Sequence, residues 1–277
     1  MRFPCRIEGL PPYSTSIPTG GSTPKSPMRL VQLLVFIAVP LVNFADFFFD
    51  FGPSPFEDDA DVLIAPAGYA FGIWGPIFLG MLIYSGYQLS NERVDSPHLR
   101  RATYAGILAG LASIAFVPIS YSDTQWLGWL NILWHLGALI WLFLELRQQV
   151  KLEPDPKARW FYLPTQLYLG WICAATVVAT ALFLDELGFE PVLLYQSYWA
   201  VALIGALTAI GLFMNQRGGS VVTMVVIWAL IGLIVKQGDY VLIYYASLTA
   251  IAVLVTALIL RAVRGRYFVF SPRLTAG

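Results

Sequence analysis

The segment GYAFGIWGPIFLGMLIYSGYQ, residues 68–88, contains no charged residue and decides the class of fold. The hydrocarbon core of a bilayer is about 30 Å thick, and a helix of about 20 apolar residues crosses it. Lipid offers backbone N–H and C=O groups no hydrogen-bond partners, so a lipid-embedded segment of this kind must be helical. The sequence therefore predicts a transmembrane helix at this point.

The rest of the chain repeats this pattern. Of the 277 residues, 57% are hydrophobic and 12% are charged, and the mean hydropathy is +0.66. Soluble domains carry about 25% charged residues, so an ordinary soluble domain is excluded. We expect an all-α integral membrane protein with eight transmembrane helices. The predicted spans are residues 30–48, 68–88, 102–120, 127–144, 161–184, 195–214, 220–235 and 240–260.

The charged residues between the spans orient the predicted bundle. Of the 17 Lys and Arg residues, all except Lys236 fall on one side, while acidic residues at 46–61 and 185–190 fall on the other. By the positive-inside rule, both termini are predicted to be cytoplasmic, and we expect a plasma membrane, that of a bacterium (the inner membrane). The formal net charge is zero, so no nucleic acid partner is expected.

The two ends of the chain differ from the spans. Residues 1–27 are rich in Pro, Ser, Thr and Gly and lack the apolar core of a signal peptide, so we expect a disordered N-terminal tail. Met28 directly precedes the first apolar run and is a candidate for the true start. Residues 267–277 are expected to form a cytoplasmic tail. The acidic loop at 50–65 is expected to fold over the mouth of the bundle.

The second span presents two neighbouring stripes. An aromatic stripe either packs against another helix or lines a cavity, and the sequence leaves both open; its members are Phe71, Trp74 and Phe78. A stripe of small residues allows another helix to approach closely; its members are Gly68, Gly72 and Gly75. Pro76 predicts a kink in this helix.

Asn131 and His135 lie four residues apart, on one face of the fourth span. Ionisable groups inside a membrane are costly and indicate a functional site. A neutral His can bind a tetrapyrrole iron or relay protons. Alternatively, the two side chains hydrogen-bond to each other or to a neighbouring helix. His98, beside Arg100, is expected to be a solvated loop residue.

Trp74, Trp134 and Trp171 lie deep in their spans. A buried indole needs a partner for its N–H group, so each implies a polar neighbour or a pocket. The chain contains two Cys and two His residues and no recognised catalytic motif. We therefore expect no enzyme, no metal site and no required cofactor.

Several motifs, in their order along the chain, resemble those of the tryptophan-rich sensory protein / translocator protein (TspO/MBR) family. The second helix of that family carries F-x-P-V-W-T-x-L-Y. Here Phe71-Gly-Ile-Trp74-Gly-Pro-Ile-Phe78 shares the Trp and the aromatic residue four positions later, with Pro76 after the Trp instead of before it. The W-x-P of the third helix corresponds to Phe116-Val-Pro118. YLGWICAAT at 168–176 matches the fifth-helix pattern, with Ala179 in place of its Asn.

The resemblance implies a TspO-like five-helix bundle at residues 28–185, with a ligand pocket closed by the loop between helices one and two. Residues 186–266 would then form an extension of three additional helices. This extension covers one face of the bundle, replaces a dimer partner or forms a second cavity. A homo-oligomer is left open.

The ligands of the family are porphyrins, haem-type tetrapyrroles and, in animal members, sterols. The resemblance implies Phe71, Trp74, Phe78, Tyr168 and Trp171 as pocket residues. The residues themselves add Asn131, Trp134 and His135.

We therefore expect a bilayer protein that binds a flat, apolar, tetrapyrrole-like ligand, with a sensory, regulatory or transport role. Two alternatives are a secondary transporter that uses Asn131, His135 and Gln166, and a non-catalytic membrane scaffold.

Overall fold

The computed structural model describes residues 27–45, 63–90, 96–122, 124–152, 156–188 and 193–264. All regular structure in these ranges is helical, which confirms the predicted all-α class. The α-helices are α1 Pro27–Asn43, α2 Trp74–Ser90, α3 Pro97–Ser120, α4 Gln125–Leu152, α5 Pro156–Glu186, α6 Leu193–Arg217, α7 Ser220–Gln237 and α8 Val241–Val263. The predicted tails and most of the acidic loop lie outside the described residues.

Seven described helical segments, from the one containing α2 to α8, are long and apolar enough to cross a membrane. Their outer faces carry large apolar side chains, as lipid contact requires. The helix α1 is also apolar but has only 17 residues. The chain is thus an integral membrane protein built of helices, and a crossing by α1 stays a prediction.

The start of the second span differs from the prediction. Gly68–Ile73 form a 3₁₀ helix, and α2 begins only at Trp74. Pro76 lies in the first turn of α2, where a missing N–H costs little, whereas its ring would clash with an α-helical carbonyl at Gly72. The expected kink is therefore a junction between two helix types.

The glycine stripe of this span was expected to allow another helix to approach closely, and among the described residues it does not. A Cβ built at Gly68, Gly72 or Gly75 meets no described atom within 4 Å. Within the described part of the chain, the predicted close helix approach at this stripe is wrong. The close approaches occur at other glycines.

Five helices form a closed ring in the order α1, α2, α5, α4 and α3. The closure between α3 and α1 depends on Gly106 and Gly110, whose G-x-x-x-G spacing is typical of close helix packing in membranes. A Cβ at Gly106 would lie 2.6 Å from Nε2 of Gln32, and a Cβ at Gly110 would collide with Val35. These two glycines thus allow α1 and α3 to pack closely.

The helices α6, α7 and α8 contact one another, and α7 packs against α5 of the ring. The contact centres on Gly170, where a Cβ would lie 2.8 Å from Cβ of Val225 and 3.2 Å from Cα of Val222. Of the three roles left open for these helices, the structure shows α7 covering one face of the ring.

The same helix holds the 3₁₀ segment in place. The backbone N–H of Ala67 donates to the carbonyl of Gly232 at 2.9 Å, and Nε1 of Trp228 donates to the carbonyl of Ala70 at 3.0 Å. The rings of Tyr69 and Trp228 also meet edge to face, 5.4 Å apart. The entry to the second span is thus fixed by α7.

His98 is not the solvated loop residue that we expected. It lies in the first turn of α3, and its Nδ1 is 2.6 Å from Oε2 of Glu145 on α4. Arg101 adds a second, longer contact to the same carboxylate at 3.8 Å. These polar contacts link the two helices near one end of the ring.

The substitution Gly170→Val tests the α5–α7 contact. Its side chain would collide with Val222 and Val225, and overpacking of this kind costs about 1–3 kcal/mol. Gly137→Val on α4 is the matched control, because no described atom lies within 4 Å of a Cβ there. We expect the first variant to lose that much more free energy of unfolding than the second in SDS titrations. Equal losses would contradict the contact.

Candidate functional site

A cavity of about 300 Å³ lies at the end of the ring where α1, α3 and α5 finish and the 3₁₀ helix leads into α2. This volume is at the lower end of the range of about 300–1,000 Å³ that is typical of small-molecule sites. The lining is mostly apolar, with many Ala, Val and Leu side chains from α5 and α7. A guest molecule would therefore sit in a largely apolar chamber.

Aromatic rings from the second and fifth spans converge at one side of the cavity. The ring centroids of Trp74 and Trp171 are 6.3 Å apart, and those of Phe71 and Trp171 are 5.3 Å apart. All three of these side chains line the cavity. Their edge-to-face packing holds the rings in fixed orientations.

Two further aromatic side chains support this group from behind. Phe78 stacks on Trp74 with centroids 5.0 Å apart, and Tyr168 meets Trp74 edge to face at 5.7 Å. Both are buried, and neither belongs to the lining. They position the indole of Trp74 without reaching the cavity.

Three polar side chains, Asn43, Ser113 and His135, line the cavity on the side of α1, α3 and α4. The amide of Asn43 donates to the Val39 carbonyl at 2.9 Å and lies 3.4 Å from the Ser113 hydroxyl. The Ser113 side chain in turn interacts with the hydroxyl of Tyr168. A connected polar wall therefore faces an apolar chamber.

His135 is the central residue of this wall. Its Nε2 lies 2.8 Å from the hydroxyl of Tyr168, which is itself fully buried. The His135 side chain is itself fully buried, although it belongs to the lining of the cavity. The bond to Tyr168 engages Nε2 and leaves Nδ1 without a hydrogen bond among the described residues.

The opposite wall comes from α7, which sequence reasoning did not include in the site. Ala229, Leu233 and Lys236 lie at i, i+4 and i+7 on one stripe of this helix and line the cavity. Small and branched apolar residues of this kind look the same in sequence whether they face lipid or a chamber. In the sequence, only Lys236 distinguishes this stripe, because it is the single basic residue on its side of the predicted bundle.

The structure separates the eight predicted site residues into three groups. Four line the cavity: Phe71, Trp74, His135 and Trp171. Two lie behind the lining and contact it: Phe78 and Tyr168. Two lie away from it: Asn131 and Trp134.

These last two residues have other surroundings. Asn131 donates to the carbonyl of Ala112 on α3 at 3.1 Å, so it links helices without bonding to His135. Trp134 is 49% exposed on the outer face of α4. A helix turns by about 100° per residue, so Trp134 points away from the chamber that its neighbour His135 lines.

The three polar residues that the transporter alternative invokes do not line one common pathway. Asn131 is engaged with a backbone carbonyl, and Gln166 is fully buried outside the lining. His135 alone of the three lines the cavity. In the described ranges, no group of three His, Cys, Asp or Glu side chains is placed to hold a metal ion.

Comparison with known proteins gave one clear match. The family model described as TSPO-like protein matches residues 29–260. The match runs beyond the motifs at 28–185 and includes almost all of the last three helices. No significant match was found to a curated protein or to a solved structure.

The bond between His135 and Tyr168 can be tested with two tyrosines of α5. Tyr168→Phe would leave Nε2 of His135 buried without its partner, which costs about 1–3 kcal/mol of folding free energy. Tyr162→Phe is the control, because its buried hydroxyl has no hydrogen-bond partner among the described residues. We expect only the first variant to unfold at lower SDS fractions. Equal behaviour of the two would count against the bond.

Proposed function

Because the chain belongs to the TSPO-like protein family, we propose that it binds a flat, apolar small molecule in the chamber between α2, α5 and α7. One observation carries the proposal: the indoles of Trp74 and Trp171 meet at the edge of a mostly apolar cavity of about 300 Å³. Pockets of this composition bind ligands chiefly by burying apolar surface, with a few polar groups that fix orientation.

A porphyrin or haem-type ligand is the first candidate. Indole faces and edges pack well against flat conjugated rings. The polar wall would supply orientation, and Nδ1 of His135, which has no hydrogen bond among the described residues, would accept a hydrogen bond from the ligand or ligate an iron. The volume of the cavity also favours flat ring systems smaller than a porphyrin, so the affinity should be measured for ligands of different size.

We propose a sensory or regulatory role in the membrane. All eight helices, α1 included, would cross the bilayer with both termini in the cytoplasm of a bacterial cell. The chamber would then open on the outer side, since it lies at the end of the ring opposite to most basic residues. Its position at one end of the ring supports reception of a ligand over passage through the bundle.

The first test is binding of protoporphyrin to the protein in nanodiscs. Ligand in the chamber should quench tryptophan emission by energy transfer. Replacing both lining indoles, in the double variant Trp74→Ala/Trp171→Ala, should weaken binding about tenfold or more, as loss of the main apolar contacts implies. Because the variant contains fewer tryptophans than the wild type, the affinity is measured from the fluorescence of the porphyrin itself.

The matched control removes two indoles that lie outside the chamber. Trp126 and Trp134 are 48% and 49% exposed, and neither lines the cavity. The double variant Trp126→Ala/Trp134→Ala should bind protoporphyrin with the affinity of the wild type. Unchanged affinity in the Trp74/Trp171 variant, with normal helicity by circular dichroism, would contradict the proposed site.

A second test fills the chamber from the α7 wall. Ala229 lines the cavity, so Ala229→Phe would occupy space that the ligand needs. We expect affinity to fall by about tenfold, which corresponds to 1.4 kcal/mol. Ala252→Phe on α8, an exposed position outside the lining, is the control and should leave affinity unchanged. Equal affinities in the two variants would mean that α7 does not bound the ligand site.

A further inference from the structure

Lys236 gives the chamber one positive charge. It lies in the last turn of α7, its side chain is exposed, and it belongs to the lining of the cavity. The other polar side chains of the lining, Asn43, Ser113 and His135, carry an amide, a hydroxyl and an imidazole. Lys236 is therefore the single Lys or Arg that faces the chamber among the described residues.

The positive charge of Lys236 has no partner within the described part of the protein. No described carboxylate forms an ion pair with Lys236, and no described group hydrogen-bonds to it. The nearest acid along the chain, Asp239, is exposed in the turn after α7. Within the described ranges, no group competes with a guest for the ammonium group.

We propose that the chamber selects a flat apolar molecule that carries a carboxylate, with Lys236 as the residue that binds this group. The inference rests on the proposed function and specifies the chemical class of its ligand. The apolar rings would lie between the indoles and the α7 wall, and the carboxylate would lie one helical turn beyond Leu233, toward the end of α7.

The number of charges favours a carboxylate over a phosphate. One ammonium group compensates the single charge of a carboxylate, whereas a phosphate monoester would bring a second charge to the same point, where it would remain unpaired. A charge-assisted hydrogen bond at the rim is also stronger than a neutral one. The long apolar stem of Lys can lie along the chamber wall while the ammonium group stays at the opening.

A cation in the last turn of a helix also stabilises that helix through its dipole. This structural role accounts for a Lys at the end of α7 without reference to a ligand. It predicts an effect on stability only, and no preference among ligands that differ in one charge. A binding experiment with a matched pair of probes separates the two roles.

The probes are 1-pyrenebutyrate and 1-pyrenebutanol, which share a flat ring system and differ in the carboxylate. Binding is measured in nanodiscs of zwitterionic phosphatidylcholine by energy transfer from tryptophan to pyrene. The variant Ala229→Phe, which fills the chamber and keeps all nine tryptophans, gives the background from probe dissolved in lipid. We expect the wild type to bind the butyrate about tenfold more tightly than the alcohol, as a charge-assisted bond implies.

Three variants complete the design. Lys236→Gln should lose the preference for the butyrate and keep its affinity for the alcohol, and Lys236→Arg should retain the preference. Lys151→Gln is the control, because Lys151 is exposed at the end of α4 and does not line the cavity. It should behave as the wild type.

Failure of the carboxylate assignment and failure of the proposed binding function give different results. If both probes bind with equal affinity and Lys236→Gln changes neither, the carboxylate assignment is overturned while the chamber remains a ligand site. If neither probe gives energy transfer above background in folded wild-type protein, the proposed binding function fails and the assignment fails with it.

Discussion

The contact between α5 and α7 at Gly170 is the constraint on which the chamber depends. Helices in lipid gain little from the hydrophobic effect, because lipid tails are as apolar as the side chains, so close packing must hold them together. The missing side chain at Gly170 lets the α7 backbone approach α5. Once seated, α7 holds the 3₁₀ segment through Gly232 and Trp228, and this segment carries Phe71 to the cavity.

The chamber combines a rigid aromatic side with a sparse polar wall. Buried polar groups are costly unless they are bonded, and the bond between His135 and Tyr168 meets this requirement below the cavity. Asn43 and Ser113 are satisfied in the same way by neighbours on α1 and α3. The wall therefore does not need a guest to be stable.

The class of fold followed from apolar runs and loop charges, because a bilayer permits few other structures; the predicted span 102–120, for example, lies within Pro97–Ser120. The 3₁₀ start of the second span was missed because residues three apart lie close together in both helix types, so an i, i+3 pair such as Phe71 and Trp74 fits either. In the site, motif order brought Phe71, Trp74 and Trp171 together correctly. Periodicity gives the face of a residue on its own helix but not the neighbour that covers it, so the α7 wall was not foreseen. Trp134, which was expected in the pocket, lies on the outer face of α4 instead.

The central claim is that an open, apolar chamber lies between the indoles of Trp74 and Trp171 and the α7 wall at Ala229. Apolar cavities take up xenon, whereas packed interiors and lipid-filled grooves do not hold it at that position. Anomalous diffraction from crystals of the protein pressurised with xenon measures this directly. The account predicts a xenon site in contact with both indoles and Ala229. Absence of density there, with side chains filling the space, would contradict it.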